Sequence, residues 1–180
     1  PYSDIVPLPV FSGFRFRHLL THTAGLAPAF AYYKQHTTMT EMVHRFADSA
    51  IRNQAGVSRV YSDVGFMLLG FALEIAAKDT LDNFCRRRIF APLGMNDTRF
   101  NPPAEWADRC APTEDCAWRQ AIVHGAVHDE NAFAVGGVSG HAGLFSTAGD
   151  LGKFCDGLSR RSFLQIGGLA LGGAGLPQLL

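Results

Sequence analysis

The chain has 180 residues, with 16 basic and 16 acidic side chains and a formal net charge of zero; 47 % of it is hydrophobic and 18 % charged. That length supports one domain with a real core and leaves little room for two, and the composition is globular and not disordered. The balanced charge offers no basic excess for a nucleic-acid partner.

Pro1 opens the chain where a Met would stand, and Tyr2 to Pro9 holds no basic leader followed by an apolar run. No signal peptide stands there, so the expectation is a chain that continues upstream. Pro1, Pro7 and Pro9 make this start extended. Phe14 to His22 is a short helical stretch closed by Gly25 and Pro28.

Thr40 is placed to cap a helix running to about Asn53, with Met42, Val43, Phe46, Ala50 and Ile51 on one face. Glu41, Arg45, Asp48 and Arg52 then face water. Residues 63–77 form the most apolar helix. Its near lack of a polar side predicts burial in a core, and Gly65, Gly70 and Glu74 make it a poor membrane span. Leu81 to Phe90 is a third, amphipathic helix that stops at Pro92 and Gly94.

Residues 96–135 read as irregular, with Trp106 and Trp118 as packing anchors. A glycine-rich stretch, Gly136 to Ser146, leads into a last helix from Ala148 to Asp156. The body is therefore helix-rich with long loops, few strands and no internal repeat. From Ser159 the character changes: Arg160 and Arg161 are the last charges, and an uncharged Gly/Ala/Leu-rich stretch follows. Ser159-Arg160-Arg161-Ser162-Phe163-Leu164 resembles a twin-arginine export signal, a segment that belongs at an N-terminus. The alternative is a Gly-rich terminal helix packed on the body. The expected division is residues 1–157 as a partial domain and 158–180 as an apolar tail.

Chemistry-bearing motifs are few. G-x-S-x-G is absent, since His141 stands where the last Gly of Gly137-Val138-Ser139-Gly140 would need to follow, and no Ser precedes a Lys by three positions. Phosphate-binding glycine loops are also missing. Cys85, Cys110, Cys116 and Cys155 contain no C-x-x-C pair; Cys110 and Cys116 can bridge in an oxidising compartment, or stay as unlinked thiols. His18 and His22, and His124 and His128, stand four apart, as ligands on one helical face would. Neither pair has the Glu of H-E-x-x-H, and loop-bonding structural histidines are the favoured reading. Tyr61-Ser62-Asp63 precedes the buried helix, so Ser62 or Asp63 caps it. A tyrosine at a helix N-terminus, with the helix dipole or a nearby lysine favouring its phenolate, is also a candidate proton acceptor.

Several stretches, in order along the chain, carry a resemblance. Arg17-His18-Leu19-Leu20-Thr21-His22-Thr23-Ala24-Gly25-Leu26 resembles a segment of the β-lactamase-related serine hydrolases, which include class C β-lactamases, D-alanyl-D-alanine carboxypeptidases and penicillin-binding-protein-like esterases. Val60-Tyr61-Ser62-Asp63-Val64-Gly65 is similar to the family's Y-x-N segment, with Asp63 where Asn is usual. Pro92-Leu93-Gly94-Met95-Asn96-Asp97-Thr98-Arg99-Phe100 is similar to its PLGM-x-x-T-x-F turn. Val127 to Ala132 and Gly140 to Ala148 resemble a carboxypeptidase-like branch.

The resemblance covers about residues 1–157. It implies an α+β, β-lactamase/transpeptidase-like fold, of which this piece is mostly the helical subdomain with long loops. It also implies acyl transfer, in which a Ser of S-x-x-K attacks a carbonyl and Lys and Tyr manage its proton. Only Tyr61 and its neighbour Asp63 carry over as catalytic positions. The nucleophile motif would lie upstream of Pro1, and the last substrate-binding motif downstream of Asp156. Asp63 in place of Asn changes recognition of a substrate amide, because an ionised carboxylate accepts hydrogen bonds and donates none.

The implied partners are a peptidoglycan peptide, a β-lactam or an ester, with no cofactor or metal and membrane contact only through the apolar tail. The implied location of the parent protein is periplasmic or exported. The expectation for this chain is a hydrolase fragment without turnover. Two alternatives stand beside it: a non-catalytic peptidoglycan-peptide-binding module, and a metal-binding protein using His18, His22, His124 and His128.

Overall fold

A helix without a polar face calls for cover, and the helix at residues 63–77 has it on the face from Val64 to Ala72, while Ile75 near its end is exposed. The computed structural model describes residues 1–8, 11–35, 38–49 and 53–157. The twin-arginine-like tail and the Ala50–Arg52 end of the second expected helix lie outside these residues. In chain order the helices are α1 (Phe16–Leu20), α2 (Met39–Ser49), α3 (Asp63–Ala77), α4 (Leu81–Cys85), α5 (Glu130–Ala134) and α6 (Ala148–Gly157).

Helix α3 buries Val64, Gly65, Met67, Leu68, Gly70 and Ala72. Packed round it are Tyr2, Phe11 and Phe14 from the N-terminal segment, Leu19 from α1, Leu26, and Met42, Val43 and Phe46 from α2. Each large apolar side chain removed from water in this way contributes roughly 1.5–3 kcal/mol. The proline-rich start is therefore part of the core. Tyr2 is fully buried, sets its ring edge-on to Phe11 at 5.4 Å and donates its hydroxyl to the Leu68 carbonyl at 2.8 Å. Burial pushes the Tyr2 phenol well above its ordinary pKa, so it stays a neutral donor.

Helix α1 is shorter than the Phe14–His22 expected. Phe14 turns into the core, and His22 adopts the left-handed conformation (φ 57°), which no helix tolerates. At α2 the cap is Thr38 and not Thr40. The Thr38 hydroxyl accepts the Glu41 N–H at 3.2 Å, and Glu41 Oε2 accepts the Thr38 N–H at 3.1 Å. This reciprocal box satisfies two donors that the helix start leaves unpaired.

Helix α3 ends at Lys78, also left-handed (φ 52°), whose N–H returns to the Glu74 carbonyl. Glu74 then accepts the Leu81 N–H on Oε1 at 2.8 Å, so the polar interruption of the buried helix serves the start of the next one. Helix α4 continues into one wide π-helical turn, Arg86–Phe90. There Arg86, Arg87 and Arg88 are exposed and Phe90 is buried.

Strands are short. β1 (Arg99–Phe100) pairs antiparallel with β4 (Leu144–Phe145), and β2 (Asp115–Cys116) with β3 (Ala121–Ile122). Among the described residues no helix is long and apolar enough to cross a membrane. The two tryptophans differ from expectation. Trp106 is half-buried between the guanidinium groups of Arg99 and Arg109, 5.4 and 4.8 Å from its ring. Trp118 is 45 % exposed, a surface aromatic against Tyr33 and Phe133 and not a core anchor.

One buried charge ties α6 to the turn before β1. Asp150 is 1 % exposed and accepts the Asp97 N–H at 2.8 Å, the Thr98 hydroxyl at 2.9 Å and the Lys153 ammonium at 2.7 Å. Lys153 also donates to the Gly94 carbonyl at 2.7 Å. The Lys153 contact, with the Thr98 and Asp97 bonds behind it, outweighs desolvation and holds the Asp150 carboxyl below its ordinary range.

A depressed folded-state pKa stabilises the fold above the unfolded value, about 3.9, and that contribution is lost as pH falls through the folded value. Asp150→Asn is therefore expected to lower stability at neutral pH and to flatten the acid limb of the stability curve. Urea midpoints measured from neutral pH down to about pH 2 check both, since an unchanged acid limb would show that Asp150 titrates alike in both states.

Candidate active site

The start of α3 is held by the loop that follows α1. Residues 22–28 are bonded along residues 53–63: the Val60 N–H reaches the His22 carbonyl at 2.9 Å, and the Gly56 N–H reaches Thr23 at 2.7 Å. Gly25 accepts from the Asn53 N–H at 3.1 Å, and Pro28 from the Asp63 N–H at 2.8 Å. Gly25 has φ 75°, and a Cβ there would collide with the Asn53 carbonyl. Ser62 is the N-cap of α3, but its hydroxyl donates mainly to the Ala27 carbonyl at 2.6 Å, leaving a long 3.4 Å bond from the Gly65 N–H. The only serine beside the candidate tyrosine is thus buried and committed to structure.

His22 lies between two rings, 4.7 Å from Tyr61 and 5.1 Å from Phe66. Its Nδ1 accepts the Ser62 N–H at 3.1 Å, which fixes the ring proton of the neutral imidazole on Nε2. The tilted imidazole against its ring and the bonded backbone on either side set where Tyr61 stands. Tyr61 itself is 72 % exposed. Asp63 is half-buried as the first residue of α3, where the helix dipole favours a carboxylate. Two of the chain's lysines have partners elsewhere: Lys34 lies over the Tyr33 ring, and Lys153 pairs with Asp150.

A second constellation was not legible as such in the sequence. Asp129 Oδ1 accepts His141 Nε2–H at 2.8 Å, and His141 Nδ1 meets the Ser139 hydroxyl at 2.8 Å. The order of atoms is that of a Ser-His-Asp relay. Its burial decides against catalysis: Ser139 is 3 % exposed and the His141 side chain 5 %, so no acyl group reaches the hydroxyl. The relay is structural. Asp129 also caps α5 by accepting the Ala132 N–H at 2.7 Å, so it joins the 137–143 loop to that helix. Burial pushes the Asp129 carboxyl up, but the bonds from His141 and Ala132 win and hold it below its ordinary range.

Two residues on, Asn131 accepts the Tyr33 N–H at 2.9 Å and donates to the Phe30 carbonyl at 2.7 Å. It thereby secures the continuation of the loop that pins α3. The 137–143 loop in turn rests on α3: a Cβ on Gly140 would strike the Phe66 carbonyl, and one on Gly70 would come within 2.9 Å of Gly140 N.

The four-apart histidine pairs do not converge. His18 Nδ1 accepts the Arg15 N–H at 3.4 Å at the start of α1, while His22 lies beyond that helix's end. His124 Nε2 donates to the Cys110 carbonyl at 2.7 Å, and His128 faces Glu114 at 3.2 Å. Among the described residues, the side chains grouped closely enough to ligate one ion are instead Glu114, Cys116 and Glu130. Cys110 and Cys116 are both free thiols, so the bridge left open by their spacing is not formed.

Comparison with known proteins places this geometry in context. The β-lactamase family model matches residues 6–179. A protein of Escherichia coli K12, provisionally named a D-alanyl-D-alanine carboxypeptidase, is 38 % identical over 161 residues, covering 76 % of this chain and 36 % of that protein. An N-acetylmuramyl-L-alanine amidase of Bacillus subtilis 168 is 34 % identical over 156 residues, covering 74 % of this chain and 35 % of the amidase. The chain thus spans about a third of the length of these relatives. Among solved structures, FmtA from Staphylococcus aureus superposes with a TM-score of 0.69 at 16 % identity, over 90 % of this chain and 45 % of FmtA. That likeness bears on the fold alone.

The contact between Gly140 and α3 is testable. Gly140→Ala must move either the 137–143 loop or the helix, and is expected to destabilise by roughly 3 kcal/mol or more, a fall in Tm of about 6–12 °C. A thermal melt reads it, and a shift under about 2 °C would mean that the two backbones separate easily.

Proposed function

The chain belongs to the β-lactamase family, and from that premise we propose that it supplies the tyrosine-bearing part of an acyl-transfer site in a serine hydrolase of the D-alanyl-D-alanine carboxypeptidase type. The observation that carries this reading is the placement of Tyr61. An exposed phenol stands at the N-terminus of a buried helix, its ring tilted against His22 and its backbone tied on both sides. Such pre-organisation is what a proton-handling residue needs, because its position is set before substrate arrives. Asp63, one turn-start away, is the second proposed site residue. As a carboxylate it accepts hydrogen bonds from substrate N–H groups, where an asparagine would also donate.

The proposed substrates are acyl compounds of the cell wall, namely peptidoglycan peptides, with β-lactams or esters reacting by the same route. The relatives' names support this class. A periplasmic or exported location follows from it. A non-catalytic peptidoglycan-peptide-binding role is the second reading, favoured by one fact: no serine in these 180 residues stands three before a lysine. Ser62 and Ser139 are both buried and hydrogen-bonded. We therefore propose that these residues by themselves do not turn over.

Incubation of the chain with a fluorescent penicillin, followed by mass spectrometry, is expected to give no covalent adduct. Acylation of any serine would overturn the proposal of silence. Joining the residues to a segment that carries the family's Ser-x-x-Lys motif is expected to restore labelling. Tyr61→Phe should then slow it by roughly 10²–10⁴-fold, the usual contribution of a positioned proton-transfer group. Equal labelling rates would remove Tyr61 from the mechanism.

A further inference from the structure

Two short segments present alternating donor side chains to one another. In an extended chain residues i and i+2 share a face. Glu114 and Cys116 are such a pair, since the β2–β3 ladder runs on through the bond from the Val123 N–H to the Glu114 carbonyl at 2.8 Å. Opposite them, His128 and Glu130 bracket Asp129 at the start of α5. Arg119, from the turn of the hairpin, holds the two segments together by donating to the carbonyls of Val127 at 2.7 Å and His128 at 2.8 Å.

The result is a mixed cluster of sulfur, nitrogen and oxygen donors. Cys116 Sγ and one carboxylate oxygen each of Glu114 and Glu130 lie within 4.8 Å of one another, and His128 Nε2 is 3.2 Å from Glu114 Oε2. Cys116 is 3 % exposed, so the sulfur lies at the floor, while both glutamates are half-buried and His128 stands at the rim. The Cys116 thiol and the His128 ring both bond to the Glu114 carboxylate, which draws the donors toward one point.

We propose that Cys116, His128, Glu114 and Glu130 bind a divalent transition-metal ion of the zinc class. The donor set decides the class: thiolate and imidazole suit Zn²⁺, whereas Mg²⁺ and Ca²⁺ take oxygen ligands. The size fits as well. Tetrahedral bonds of about 2.0–2.3 Å place ligand atoms about 3.3–3.8 Å apart, so Glu114, Cys116 and Glu130 need to close in by about 1 Å, and His128, within 3.2 Å of Glu114 alone, turns in from the rim to complete the set. On binding, the Cys116 S–H bond breaks, its proton goes to solvent and a sulfur–metal bond forms. The imidazole binds as the neutral ring through Nε2.

Four protein ligands leave no open position, so the ion is structural. It staples the hairpin to the start of α5, on either side of Asp129.

The test uses the whole chain and Co²⁺ as the probe. Titration is expected to give tetrahedral visible bands together with a thiolate-to-cobalt charge-transfer band in the near ultraviolet, both abolished by one equivalent of Zn²⁺. Cys116→Ser should remove the charge-transfer band. Glu130→Gln, at a half-buried position, should weaken Co²⁺ binding roughly tenfold or more while leaving the metal-free melt unchanged. His124→Ala, outside the cluster, should bind as the parent does. Cobalt spectra without a thiolate band, or equal affinity in the parent and Glu130→Gln, would overturn the assignment.

Discussion

Helix α3 buries one face from Val64 to Ala72 and carries little polar side chain elsewhere, and that constraint organises its surroundings. Segments that approach it closely bring polar groups already matched or pass by with little side chain at all. Tyr2 brings a hydroxyl for the Leu68 carbonyl, and Ser62 one for Ala27. Gly140 lies against Phe66 and Gly70 with no Cβ in between. An unpaired backbone group left in that interior would cost about as much as a lost core side chain, so close approach and hydrogen bonding are satisfied together.

The same constraint explains why the exposed phenol of Tyr61 is rigidly placed. Its neighbour Ser62 is sealed under Ala27, its partner ring His22 is fixed by the Ser62 N–H, and the loop carrying His22 is bonded from residue 22 to residue 28. The family's Thr-His-Thr-x-Gly-Leu segment is thus a clamp on the start of α3. His22 and Gly25 are in it for their backbone conformations and contacts. None of this supplies a nucleophile.

Periodicity found what burial determines. Met42, Val43 and Phe46 could be read as one face, α3 could be read to its limits, and Leu81 to Phe90 has the expected span. It was less informative where geometry is set by contacts distant in sequence. Thr38 and not Thr40 caps α2 because Glu41 reaches back to it. Trp118 looked like a core anchor because a large ring is costly to leave wet, yet it forms a surface cluster with Tyr33 and Phe133. Four-residue histidine spacing was misleading because it assumes helix. Helix α1 stops at Leu20, and residues 124–128 are not helical. The signal that mattered was the two-residue spacing of Glu114 with Cys116 and His128 with Glu130. It has meaning only once the hairpin and α5 are known to face each other.

The π-helical turn at Arg86–Phe90 sets the rotational phase of the chain that follows. Successive residues of an ordinary helix are about 100° apart, and the wide turn accommodates one residue more. Arg86, Arg87 and Arg88 consequently stay in water while Phe90 swings to the core. Wound as an ordinary α-helix, the same residues would put Arg88, four after the buried Phe84, on the buried face. In this stretch the number of residues carries as much information as their identity.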